Sequence, residues 1–200
     1  MAKNNGTPDL IQAIWNMVGG EEVIRAIVSG EAKLIVRWLK IIDFVGKSTT
    51  SSKAEKFFVK YWFRLISEGG ICCTYHDKDF KAWFLEDDGK IEDPTTEQVT
   101  RYGNLVVSSD NIRIIEEFGG KSKSETKLTV IYDLMWKQLG GENEGDLLTD
   151  GNLNIFYARD VKRRLRCVSL RWYRGWGIYA CSIKHISKMP VGSRVFAPDS

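Results

Sequence analysis

The chain has 200 residues, 43% of them hydrophobic and 28% charged, a balance that excludes the disordered and fibrous classes and suits one domain or two small ones. Its 29 basic and 26 acidic residues leave a formal net charge of +3, too weak a bias to imply a nucleic-acid partner by itself. No window approaches the roughly 20 apolar residues that span a bilayer, and the opening residues lack the apolar core and small-residue cleavage site of a signal peptide. A cytoplasmic location without a membrane partner is expected. In that compartment the four cysteines, two of them adjacent at Cys72 and Cys73, are expected to be reduced thiols.

Two helices are predicted within residues 8–35: Leu10, Ile11, Ile14, Trp15 and Val18 follow helical spacing, and Gly19-Gly20 suits a left-handed stop. Glu21 and Glu22 open the second helix, favourably placed against its dipole. The lysine- and serine-rich stretch 46–56 reads as a long loop. Residues 57–90 are aromatic and uneven, compatible with strand, turn and short helix alike. From Thr95 three helices are expected, over "TTEQVTRYGNLV", "DNIRIIEEFGG" and "SETKLTVIYDLMWKQLGG"; the outer two are led by Thr or Ser caps and the last two closed by Gly-Gly. A polar turn, "NEGDLLTDGN", leads into strands: a run around residues 155–158, a basic turn at 160–164, an alternating pair over 168–183, and "SRVFA". The fold expected is α+β, with a mixed helical region over 1–92, then helices and an antiparallel sheet over 93–200.

The alternating pair carries the functional expectation. Val168, Leu170, Trp172, Trp176, Ile178 and Ala180 share one parity and read as a buried face, while Ser169, Arg171, Gly177, Tyr179 and Cys181 share the other. A three-residue loop, Tyr173-Arg174-Gly175, joins them, and such hairpin loops favour Gly at a left-handed position. Symmetric pairing about this loop sets Trp172 beside Trp176, Leu170 beside Ile178, Val168 beside Ala180 and Cys167 beside Cys181.

No catalytic constellation is found. Cys72, Cys73, His76, Asp77 and Asp79 lack the paired spacing of a zinc site. With only His76 and His185 in the chain, and no Gly-x-Ser-x-Gly turn, a nucleophile relay has few candidates. The Gly-Gly pairs do not sit in a Lys-containing phosphate loop, and Glu86-Asp87-Asp88-Gly89 lacks calcium-loop spacing. No enzymatic activity and no cofactor or metal are expected. One patch mixes charge with aromatics: Lys162, Arg163, Arg164, Arg166, Arg171 and Arg174 crowd Trp172, Tyr173 and Trp176. Basic residues interleaved with rings can neutralise phosphates and stack bases, so nucleic acid stands as the alternative partner; a polar hairpin rim over a Trp-filled core is the structural alternative.

"MVGGEEVIRAIVSGEAKL", "DFKAWFL", "IIEEFGGKSKSETKL" and "LLTDGNLNIFYARDV…LRCVSLRWYRGWGIYACSI…GSRVF" resemble, over nearly the whole chain, an uncharacterised protein family of ultra-small uncultured bacteria. Its C-terminal part is similar to the variable region of proteins diversified by retroelements, usually displayed on a C-type-lectin-like fold. Carried over by position, the resemblance implies a scaffold of Leu165, Arg166, Val168, Leu170, Trp172, Trp176, Ile178, Ala180, Ser182, Gly192, Arg194, Val195 and Phe196. It implies variable binding positions at Ser169, Arg171, Tyr173, Arg174, Gly177, Tyr179, Cys181, His185, Ile186, Ser187 and Ser193, facing a protein or other macromolecular ligand. Two departures stand out: Val161-Lys162-Arg163-Arg164 replaces an Asn-Gly-type turn, and "KHISKMP" has Lys and Met where proline and tryptophan are expected.

Overall fold

The computed structural model describes residues 40–50 and 55–199. The two helices expected within 8–35 lie outside the described residues. From Lys40 onward the chain forms one unit, an α+β arrangement built on a seven-stranded sheet of order β1-β5-β9-β6-β7-β8-β3. The strands are β1 (Ile42–Thr50), β3 (Cys73–His76), β5 (Gln98–Leu105), β6 (Asn154–Arg159), β7 (Leu165–Trp172), β8 (Trp176–Ser182) and β9 (Arg194–Pro198); β2 (Phe57–Phe58) pairs with β4 (Ile91–Glu92) in a small second sheet. The helices are α1 (Val59–Trp62), α2 (Lys78–Phe80), α3 (Asn111–Glu117), α4 (Lys121–Ser124) and α5 (Leu128–Lys137), with a π-helical turn, Lys81–Leu85, running on from α2.

Four expectations are corrected here. The sheet is mixed rather than antiparallel, because β6 runs parallel to β9 and β3 parallel to β8. A boundary at 92/93 does not divide this unit, since the sheet recruits β1 and β3 from before it. Residues 46–50, read as the start of a loop, are the second half of β1. The stretch 98–105, read as helix, is β5, held antiparallel between β1 and β9. Val99, Thr100 and Tyr102 suit a pleated surface, and Gly103 lies so close to β1 that a Cβ there would sit 2.5 Å from the Asp43 carbonyl.

Two cores sandwich the sheet. Val168, Leu170, Trp176, Ile178 and Ala180 join Phe156 and Phe196 on one face, packed against α5 through Leu128, Ile131, Leu134 and Met135 and against Phe63, Phe80 and Phe84. On the other face Ile155, Tyr157, Leu165, Cys167, Val195 and Ala197 meet Ile114, Ile115 and Phe118 from the α3 region. Asp110 caps α3 by accepting from the Arg113 backbone N–H at 2.9 Å. Helix α5 has no cap from its own Lys127; the Glu92 carboxylate, remote in sequence, accepts from the backbone N–H groups of Leu128 (3.0 Å) and Thr129 (2.9 Å) instead.

Candidate functional site

The β7–β8 hairpin adopts the expected register, with Trp172 opposite Trp176, Leu170 opposite Ile178, Val168 opposite Ala180 and Cys167 opposite Cys181. Its loop corrects one detail. Arg174, at φ +55°, occupies the left-handed position, and Gly175 stands at φ +147°. Glycine is required at 175 by both conformation and space, because a Cβ there would lie 2.2 Å from the Thr74 methyl.

The even-numbered face is core: Val168, Leu170, Trp176 and Ile178 have no exposed surface, and Trp172 is half-buried with its ring edge-on to Trp176. The odd-numbered face is not uniformly open. Along β7 it grades from buried Cys167 through half-buried Ser169 to exposed Arg171, Cys167 belonging to the second core with Ile114, Ile115 and Phe118 while Arg171 lies outside it. Along β8, Tyr179 is exposed while Cys181 is half-buried beside the second core. Cys181 receives a contact at 4.0 Å from the Asn111 amide, whose oxygen accepts from the Tyr157 hydroxyl at 3.1 Å. The Cys167 thiol, hydrogen-bonded to Cys181 and fully enclosed, is held well above its usual range, whereas that same bond draws Cys181 downward. Both are free thiols.

At the uncovered end a depression of about 210 Å³ is lined by Arg171, Tyr173, Gly177 and Tyr179, together with Thr74, Tyr75 and Gly175. Gly177 is buried and supplies floor rather than a displayed side chain. Tyr75 and Tyr179 lie with ring centroids 5.5 Å apart, and Arg171 is oriented by donating from Nε to the Gly151 carbonyl at 2.8 Å. Sequence reasoning missed Thr74 and Tyr75. They arrive through the parallel β3–β8 pairing, Tyr75 opposite Gly177, which no local pattern announces.

The remaining expected positions are dispersed. His185, Ile186 and Ser187 are exposed, but they follow the far end of β8, whose seven residues separate them from the hairpin tip by roughly 20 Å at the usual strand rise. Ser193 is fully buried and is not part of any displayed surface.

The basic turn is organised by one carboxylate. Asp160, 3% exposed, accepts from the backbone N–H groups of Lys162 and Arg164 and from Arg166 Nε, each at 2.8 Å. Arg163 takes the left-handed conformation, φ +58°, that an Asn-Gly-type turn would give to glycine. Arg166 lies over the Trp83 ring at 3.7 Å, and Arg159 pairs with Glu125. Lys162, Arg163 and Arg164 are exposed. Trp176, with no exposed surface, has no face to offer a base.

Among the described residues no three His, Cys, Asp or Glu side chains converge as a metal site, and no helix is long and apolar enough to cross a membrane. Comparison with known proteins finds no matching family model, no matching curated protein and no matching solved structure.

Proposed function

We propose that this chain is a binding module that recognises a macromolecular ligand, most simply another protein, through the open end of the β7–β8–β3 surface. The observation that carries this reading is the aromatic depression ringed by Tyr75, Tyr173, Tyr179 and Arg171. Its volume falls below the roughly 300–1,000 Å³ of pockets that enclose small ligands, so it suits a side chain projecting from a partner. Tyr and Arg are the residue types that anchor such contacts.

The retroelement-diversified, C-type-lectin-like reading implied by the resemblance extends the same proposal. It is supported by the division of labour within the hairpin: fold-bearing packing lies on the even face, and Arg171, Tyr173, Arg174 and Tyr179 are exposed, where substitution costs little. No chemistry is assigned to the surface.

The test compares wild type with a Ser169/Arg171/Tyr173/Tyr179→Ala variant and a Lys162/Arg163/Arg164→Ala variant, each first checked for a native melting transition. Partners captured by wild type are identified and their dissociation constants measured. Loss of the partner with the four-site variant, and retention with the basic-turn variant, is the expected outcome. The reverse, accompanied by steeply salt-dependent binding to mixed oligonucleotides, would replace this reading with the nucleic-acid alternative.

A further inference from the structure

The opposite face of the same sheet holds a second cavity that the surface reading does not use. It measures about 700 Å³ and is walled by Tyr61, Phe63 and Leu85, with Lys60, Arg64 and Lys81 set against Glu68 and Glu86. That volume lies within the range of small-molecule sites. His76, at the end of β3, also lines it.

The charged groups are not equally available. The Lys60 ammonium donates to the Asp87 carbonyl at 2.6 Å, the Arg64 guanidinium to the Glu68 carbonyl, and the Glu68 carboxylate accepts from the Leu65 N–H at 3.3 Å. The Lys81 ammonium has no hydrogen-bond or ion-pair partner among the described residues, and its charge acts on His76.

His76 is 5% exposed, and its Nε2 is buried without a hydrogen-bond partner. Burial and the neighbouring Lys81 press the imidazole pKa down to about 4, against smaller opposing influences from Glu68 and the Phe63 backbone. At neutral pH the ring is therefore uncharged. The neutral ring carries one N–H and one lone pair, and Nε2 holds one of the two without a partner. A buried polar atom left unsatisfied is costly, and a ligand hydroxyl, able to donate or accept, removes that cost. The cavity thus asks for three features in one molecule: an apolar body, an anionic group for Lys81, and a hydroxyl for His76.

We propose that this cavity binds a small hydroxycarboxylate with an aromatic or branched apolar body, its carboxylate facing Lys81 and its hydroxyl hydrogen-bonded to His76 Nε2. The site is independent of the protein-binding surface, since Tyr75 and His76 lie on opposite faces of β3.

The experiment titrates the full chain with 3-phenyllactate and, separately, with 3-phenylpropionate, which lacks the hydroxyl, by calorimetry. It also follows the ¹⁵N resonances of the two histidines. Phenyllactate should bind at least tenfold more tightly than phenylpropionate, and Lys81→Gln should weaken it about tenfold. The His76 Nε2 resonance should shift on saturation while His185 stays in place. The wild-type resonance serves where a His76 variant fails to fold. The four-site surface variant should bind phenyllactate as wild type does, so the two proposals fail separately. Equal affinity for the two acids, an unmoved His76 resonance, unchanged affinity in Lys81→Gln, or no binding at millimolar probe would each overturn the assignment.

Discussion

Glu92 gives the sharpest test of how the fold is held. Its carboxylate, 5% exposed, accepts from the Leu128 N–H at 3.0 Å and from the Thr129 N–H and hydroxyl, each at 2.9 Å. Lys90 pairs with it at 2.8 Å. Removing the group in Glu92→Ala orphans two N–H donors at the start of the helix that carries Leu128, Ile131, Leu134 and Met135 into the core, and it strands a largely buried ammonium. Breaking a buried ion pair from one side costs about 3–5 kcal/mol. Two unsatisfied donors at roughly 1–3 kcal/mol each give about 2–6 kcal/mol, a range that brackets it. Glu92→Gln keeps one acceptor oxygen but turns an amide NH₂ toward a donor, so a loss of about 2 kcal/mol is expected. Urea unfolding at neutral pH, followed by circular dichroism with a check for two-state behaviour, measures both. A Glu92→Ala loss below about 1 kcal/mol, ordinary for surface positions, would refute the capping role. The pH dependence has a definite sign. Burial alone would raise the Glu92 pKa, but Lys90 and the backbone donors outweigh it and hold the carboxyl below its ordinary value of 4.5. Its contribution is therefore present above that unfolded value and disappears as pH falls through the lower folded one.

Trp176→Ala should cost about 3–5 kcal/mol, since the ring has no exposed surface and its Nε1 donates to the Gln138 carbonyl at 3.2 Å; calorimetric melting measures it, and a shift typical of surface positions would contradict the packing. Gly175→Ala should lose roughly 1–3 kcal/mol through strain and overpacking against Thr74, and more than Gly177→Ala, where a Cβ would meet the Tyr179 ring and hydroxyl at 3.3 Å and the Arg171 carbonyl at 3.6 Å. Equal losses would remove the steric account of the turn. Iodoacetamide should label Cys181 well before Cys167 in the native protein, since Cys181 is half-buried with a lowered pKa and Cys167 is enclosed with a raised one. Peptide mass spectrometry showing the opposite order would invert that pairing.

Local pattern determined much of the hairpin. Strict alternation from Val168 to Ala180, with three residues between Trp172 and Trp176, specifies both register and core face, because a one-residue slip would exchange every side chain between core and solvent. The Gly-Gly stop after Phe118 likewise marks the end of α3 within its own few residues. Periodicity reports only that a face is buried, not what buries it. So the odd face read as one surface, although Cys167 is part of the second core and Arg171 is exposed. Likewise 98–105 read as helix, although β1 and β9 hold it extended. The carboxylate that caps α5, the tyrosine that completes the depression beside Tyr179, and the enclosure of His76 all depend on residues distant in the chain. Those contacts form only when the mixed sheet sets β3 beside β8 and the small second sheet holds β4 in place, a choice set by tertiary packing rather than by the preference of any segment alone.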